Sequence, residues 1–526
     1  MTELGALGEC SQGKPTDAGV SAEADAGTDA GAEMPIVAAL RDIADRPQAR
    51  FYLPGHKGGQ GAPEVLRHWL GEPLWRSDLP ELPDFDTLFA PDAAIAQAQT
   101  LAAQTFGADR TWFLCNGSTV GVMAALSAVC RPGERVLLPR NVHRSAIAGL
   151  IHCGARPVLA APDYDPAWDL DRGLTPELVA QAIDRYPDLA AILLVSPNYY
   201  GQSCDLATIV DLAHHRPDRA IPVIVDAAHG SHFAFHPDFP AAALTSGADL
   251  VIESTHKTLG ALSQAAMLHL RGDRIDVDRV DRGLALLQST SPNALLLASL
   301  DAARQQMAIA GRSLLGRTLE LADRLRAGLC DRAWTVLDDH DGGGRFDRTR
   351  ITVRTADFGI SGYAADEFLY ARNVAAELPT DRHLTFVVTI GNTEAEIDRA
   401  LVGFRELETL RSVSVHPSRT APSVPIPSPI LSPILSPILS PQALSEPAIR
   451  PRDAFFAVSE LIALADSGDR LSADTLCPYP PGIPLLIPGE RISQAAIEAL
   501  ERTVAAGGMV TGWSRPGLIR VVVEGE

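Results

Sequence analysis

Residues 249–267 read DLVIESTHKTLGALSQAAM. Leu250, Val251 and Ile252 form a short apolar run that closes at Glu253, and Ser254, Thr255, His256 and Lys257 follow directly. A short apolar run with polar boundaries reads as a buried strand. Lys257 therefore stands in a loop at a strand end, with apolar segments on both sides. An isolated lysine is ordinarily a solvated surface charge, and this setting argues against that reading here. Upstream, IPVIVDAAHG (221–230) repeats the arrangement, with an apolar strand ending at Asp226. A carboxylate at the end of a buried strand needs a partner, whether a turn that it caps or a bound cation.

The same alternation extends outward from these two strands. IAQAQTLAAQTFG (95–107), VGVMAALSAVC (120–130), HRSAIAGLIHCG (143–154), LTPELVAQAIDRYP (174–187) and LATIVDLAHH (206–215) carry helical spacing. Between them lie the strand-like runs TWFLC (111–115), RVLLP (135–139), RPVLAA (156–161) and AAILLVS (190–196). Apolar strands interleaved with helices predict an α/β fold with a mainly parallel sheet covered on both faces. Helical MPIVAALRDIA (34–44) and an extended FYLPGHKGG (51–59) precede this unit. Helical ASLDAARQQ onward to Leu329 follows it. RITVRT (350–355) and HLTFVVTI (383–390) then flank a helix expected over 363–378, with another over 394–410, as in a smaller α/β domain.

These patterns divide the 526 residues into an acidic tail (1–33), a large domain (34–310), a small α/β domain (311–417), a linker (418–448) and a C-terminal α+β domain (449–526). The tail is almost free of large apolar residues and cannot offset its ordering entropy, so disorder is expected there. Residues 421–441 read APSVPIPSPILSPILSPILSP, and proline every fourth residue predicts an extended spacer.

Composition excludes several classes. Apolar residues make up 46% and charged residues 21%, the balance of a globular protein. The net charge of −20 argues against a nucleic-acid partner. No apolar run is long enough for a membrane helix, and the N-terminus lacks the basic and apolar regions of a secretory signal. The seven cysteines are scattered and never paired as CxxC, so neither a metal site nor a disulfide framework is expected. A cytoplasmic location fits these features.

Two further segments carry chemistry. CNGSTVG (115–121) follows a strand and opens a helix, so Asn116, Gly117, Ser118 and Thr119 are placed to cradle a phosphate. A plain helix cap is the alternative. In RNVHRSAI (140–147), His143 stands at a strand-to-helix junction, where ligands approach open α/β sheets and a flat imidazole can stack on a ring. A lysine flanked by hydroxyls beside an anion cradle suits a Schiff base next to a phosphate.

The ordered set NGST, RNVH, VDAAHG, STHKTL and LQSTSPN, with PGHKGG near residue 54, resembles the fold-type-I decarboxylases of ornithine, lysine and arginine that use pyridoxal 5'-phosphate (PLP). The resemblance is to their shorter form, without an N-terminal wing domain. It covers residues 34–417 and resumes at SADTLCPYPPGIPLLIPGE (472–490). It implies an aspartate-aminotransferase-like large domain. Lys257 would bind PLP covalently, and Ser254, His256, Ser118 and Thr119 would hold the phosphate. Asp226 would pair with the pyridine nitrogen, His143 would stack on the ring and Ala228 would lie against its other face. Lys257 or His256 would return a proton to Cα. Ser289 and Thr290 would reach the phosphate of a neighbouring subunit in a homodimer. The implied reaction is decarboxylation of a basic amino acid, arginine first and then lysine or ornithine, feeding polyamine or diamine metabolism. A cationic tail needs a carboxylate, and Asp474, Asp86 and Glu81 are the candidates. Ala227 stands where the family usually has Glu, and Glu253 where it commonly has Gln. Transamination and a PLP-binding regulatory protein without turnover stay open as alternatives.

Overall fold

The computed structural model describes residues 32–339, 343–414, 443–479, 482–505 and 507–524. Nearly all of the N-terminal tail and the proline-rich insert lie outside the described residues. The central sheet has eight strands in the spatial order Arg110–Leu114, Ala266–Leu270, Leu250–Glu253, Val223–Asp226, Leu189–Val195, Arg135–Pro139, Arg156–Ala160 and Leu444–Ser445. The five strands from Leu250–Glu253 to Arg156–Ala160 run parallel. Arg110–Leu114, Ala266–Leu270 and Leu444–Ser445 pair antiparallel. The last of these comes from the stretch that composition assigns to the linker, so the chain rejoins the large-domain sheet before entering the C-terminal domain.

Strand periodicity explains the double cover. Leu137, Val223 and Val225 pack into one core, while Val136, Leu138 and Ile224 pack into the core on the other face. Successive side chains of a strand point to opposite faces, so a strand buried on both sides needs a continuous apolar run. The parallel register sets Val195 beside Asp226 and Asp226 beside Ile252. The polar residues that end these strands therefore meet at the carboxyl edge of the sheet, where open α/β folds bind ligands.

The helix Ala294–Cys330 has 37 residues, about 55 Å at 1.5 Å per residue. Leu315 and Leu319 belong to the large-domain core, whereas Leu321, Leu325 and Leu329 belong to the small-domain core. One continuous helix thus crosses the boundary expected at 310/311. The small domain adds the three-stranded antiparallel order Arg350–Arg354, His383–Val387, Leu378–Pro379. The helix expected over 363–378 covers only Gly362–Tyr370. Asn373 has φ 59°, Val374 is buried in the small-domain core, and the Glu377 N–H donates to the Thr385 carbonyl. Edge pairing and the burial of Val374 override the helical propensity of this stretch, and Glu377 ends up in the bend just before the strand Leu378–Pro379.

The C-terminal domain forms its own small core around Leu476, Leu486, Ile497, Leu500 and Ile519. Its 482–490 loop docks on the large domain. Arg140 donates to the Leu485 carbonyl at 2.8 Å and to the Glu490 carboxylate at 2.9 Å, the Arg144 N–H reaches the Gly482 carbonyl, and Ile487 joins the large-domain core.

Candidate active site

Lys257 lies in the short helix Thr255–Thr258, which begins as soon as the Leu250–Glu253 strand ends. Its amine is 3.1 Å from His229 Nε2 and 5.8 Å from the centre of the Tyr199 ring. Burial lowers the Lys257 ammonium below the ordinary lysine range. The Asp226 charge opposes that, Arg350 adds to it, and Glu377 opposes it. Asp226, at its strand end, accepts the Ala228 N–H at 3.2 Å. Burial raises its carboxyl above the ordinary range, against the pull of Lys257 and of the Ala228 N–H. A buried carboxylate of this kind gains most from a cationic N–H partner.

The helix terminus expected to cradle a phosphate and the lysine loop meet at two strand ends. Gly117 opens the 13-residue helix Gly117–Val129 with φ 76°, a left-handed conformation that glycine adopts without penalty. The Ser254 hydroxyl donates to the Ser118 hydroxyl at 2.7 Å, which joins the helix N-terminus to the lysine loop. Thr119 is exposed at the same terminus. His256 directs Nδ1 at the Ala265 carbonyl, 2.8 Å away, and burial lowers its pKa. The neutral His256 ring therefore donates through Nδ1 and offers Nε2 as an acceptor.

His143 caps the helix Arg144–Cys153, with its Nδ1 accepting the Ser145 N–H at 3.2 Å. Burial, with the charges of Lys257 and Arg144, pulls its pKa down to about 4. It is a neutral ring at neutral pH. Gly482 of the C-terminal domain approaches this ring. Ser289 and Thr290 are exposed, and the Ser289 N–H donates to the Asn116 side chain of the same chain at 3.0 Å. Ala227 is buried in the large-domain core, and Glu253 is buried with His269 Nε2 at 3.7 Å.

These surroundings fit PLP: a cationic-ring partner in Asp226, a flat neutral imidazole in His143, a helix N-terminus with hydroxyls, and the amine of Lys257 among them. The three carboxylates expected to read a cationic tail all accept backbone N–H groups. Asp86 accepts N–H groups from Thr87, Asp92, Ala93, Ile95 and Ala96, so it anchors the loop that starts the helix Ala94–Phe106. Glu81 accepts the Leu88 N–H, and Asp474 accepts the Arg520 N–H.

Three groups that the sequence motifs did not mark complete the site. His229, three residues beyond Asp226, is buried with its ring tilted against Tyr199 at 4.6 Å. Arg350, at the start of a small-domain strand, is buried and donates to His229 Nδ1 at 3.1 Å. Glu377 is exposed, and its charge acts on Lys257, Arg350 and Tyr199. His229 was readable in VDAAHG as a polar residue after a strand end. Arg350 and Glu377 carry no local signal, because only the small domain's docking brings them to Lys257.

The fold and these residues define a PLP-dependent enzyme of fold type I. Residues 34–340 match the Orn/Lys/Arg decarboxylase major domain, and residues 439–514 match the C-terminal domain of the same family. The chain belongs to the Orn/Lys/Arg decarboxylase family and is a PLP-dependent amino-acid decarboxylase acting on a basic amino acid. It is 34% identical to an arginine decarboxylase of Bacillus anthracis, over 91% of this chain and 95% of that one. It is also 34% identical to an arginine decarboxylase of Bacillus subtilis, over 94% and 98%. The fold is that of the Francisella novicida lysine decarboxylase LdcF, with TM-score 0.78 and 19% identity over 94% of this chain and 82% of that one.

Proposed function

We propose that this enzyme decarboxylates arginine, releasing the corresponding amine and CO2 for polyamine synthesis in the cytoplasm. The observation that carries the reading of a cationic tail is Glu377, an exposed carboxylate whose charge reaches Lys257 and Arg350 from the small-domain side. Arginine is placed before lysine because the relatives at 34% identity that span most of the chain are named arginine decarboxylases. A carboxylate built to pair a cation loses that pairing with a neutral substrate, which favours basic amino acids.

PLP, when bound, supplies an electron sink for the pair left at Cα as CO2 departs. Lys257 is the residue that attaches it. Asp226 would keep the pyridine nitrogen protonated through a buried charge pair, and His143 and Ala228 would bind the ring. Ser118, Thr119, Ser254 and the N–H groups at the start of the helix Gly117–Val129 would hold its phosphate. His256, with Nδ1 directed at the Ala265 carbonyl, would add its Nε2 side to the phosphate site. Incubation with arginine, lysine, ornithine and leucine, followed by amine identification and CO2 measurement, tests this reading. Arginine should be turned over fastest and leucine scarcely at all. Keto-acid formation would establish transamination, and the absence of turnover with bound PLP would establish a binding protein.

Two copies are expected to share their sites through Ser289 and Thr290. Mixing Lys257→Ala chains with chains carrying Ser289→Ala and Thr290→Ala should restore activity after subunit exchange. Failure to restore it, with the hydroxyl variant itself impaired, would mean that the hydroxyls serve their own chain.

A further inference from the structure

Half-buried Lys257 and buried His229, Arg350 and Asp347 form one line of polar contacts across the junction of the two domains. Lys257 Nζ lies 3.1 Å from His229 Nε2, and Arg350 Nη2 donates to His229 Nδ1 at 3.1 Å. Arg350 Nε stands 3.7 Å from an Asp347 carboxylate oxygen. Asp347 is fully buried and also meets His232 Nε2 at 3.1 Å, the Thr349 N–H at 2.9 Å and the Thr349 hydroxyl at 2.6 Å. Burial alone would raise the Asp347 carboxyl, but His232, Arg350 and Thr349 bring it down to about 2. Arg350 is thus anchored by a carboxylate that stays charged.

The direction of these bonds follows from donor chemistry. A guanidinium has no lone pair to offer and can only donate. His229 Nδ1 must therefore accept from Arg350 and carries no proton. A neutral imidazole has one N–H, so the proton resides on Nε2, the nitrogen facing Lys257. For that N–H to donate, the Lys257 nitrogen must present its lone pair, which an ammonium does not have. The reverse polarity, with an ammonium donating to Nε2, would need a ring stripped of both protons.

We infer that Arg350 fixes the tautomer of His229, and that His229, as an Nε2–H donor, holds the Lys257 amine unprotonated for reaction with an aldehyde cofactor. An amine condenses with an aldehyde, forming C=N and releasing water, only through its lone pair; the proton that Lys257 gives up goes to solvent. His229 and Arg350 are positioning residues that act through Lys257. The inference rests on the assignment of Lys257 as the PLP lysine. The groups facing the amine divide by sign. Asp226 and Glu377 favour the ammonium, whereas burial and Arg350 oppose it. His143 and His256 are neutral neighbours, their protonation disfavoured first by burial, and the Tyr199 ring offers its face. Burial with the charges of Lys257 and Arg350 holds His229 itself well below the ordinary histidine range.

The test measures the pKa of Lys257 in the apo-protein, without turnover, by competitive acetic anhydride labelling across pH and peptide mass spectrometry. His229→Phe removes the donor without changing net charge, and should raise the pKa of Lys257 by about one pH unit, the scale of one hydrogen bond. His229→Gln accepts from Arg350 through its oxygen and donates to Lys257 through its amide, and should return the value to near wild type. If His229 instead accepted from an ammonium, or only packed there, His229→Phe would lower the Lys257 pKa or leave it unchanged, and either result overturns the inference. If the Phe variant does not fold, His229→Ala compared with His229→Gln makes the same distinction. Borohydride reduction of the holo-protein locates the PLP lysine separately. A label away from Lys257 would overturn the functional reading, while the pKa comparison decides the tautomer.

Discussion

The two walls of the active cleft are built in different ways. On the large-domain wall, Asp226 closes a parallel strand, Lys257 and His143 follow parallel strands, and the Gly117 helix terminus follows the antiparallel-paired strand Arg110–Leu114. On the small-domain wall, Arg350 opens an antiparallel strand and Glu377 stands just before another, and the core of these strands lies elsewhere. The first wall is deep and is held by the main sheet. The second ends in an exposed carboxylate. The contrast teaches that the groups suited to holding a cofactor are fixed by the sheet, while those suited to choosing a substrate depend on domain docking.

The largest effect is expected at the centre of the first wall. Lys257→Ala should abolish turnover and remove the visible absorbance of bound PLP, with the circular-dichroism spectrum unchanged. An unchanged visible band would remove Lys257 from the cofactor's attachment. Asp226→Asn should come next, lowering kcat by roughly 10²–10⁴, the usual worth of an electrostatic or acid–base group. Near-normal kcat in a variant saturated with PLP would separate Asp226 from the ring nitrogen.

The second wall should respond differently. Glu377→Gln should reduce kcat/KM for arginine by about 10- to 100-fold, in line with one hydrogen bond to a charged group, and mainly through KM. Should kcat fall as far as in Asp226→Asn, the division of labour between the two walls breaks down. The corresponding changes at Asp474 or Asp86 should act on stability, because those carboxylates hold backbone N–H groups.

A separate effect concerns pH. His143 titrates near 4 in the folded chain, because burial and the charges of Lys257 and Arg144 disfavour its cation, and near 6.5 when unfolded. As pH falls, the unfolded chain takes up this proton first. The stability tied to a neutral His143 is therefore complete above about 6.5 and is lost between there and pH 4. Denaturation midpoints of the apo-protein should fall over that interval, and should fall less for His143→Phe. Equal slopes would place the titration elsewhere.

Much of this molecule can be read along the chain. The apolar runs before Asp226, Glu253 and Pro139 specify strands buried on both faces, because only a continuous apolar run satisfies two cores at once. A polar residue closing such a run has to emerge at the sheet edge, which makes Lys257, Asp226 and His143 legible without coordinates. Other features depend on contacts distant in sequence. The helical pattern of 363–378 stops at Tyr370 because Val374 finds a core and Leu378 finds a strand partner. The strand Leu444–Ser445 exists because the sheet offers an open edge at Ala160 and Leu159. Asp86 looked like a free carboxylate in sequence, yet it is saturated by N–H groups that converge only on folding. By itself, the sequence determined the strand ends and the residues placed on them, since periodicity and burial act locally. Only the tertiary structure decided that Arg350 meets His229, that Glu377 acts on Lys257 and that Gly482 approaches His143, because each of those meetings requires two separately folded cores to dock.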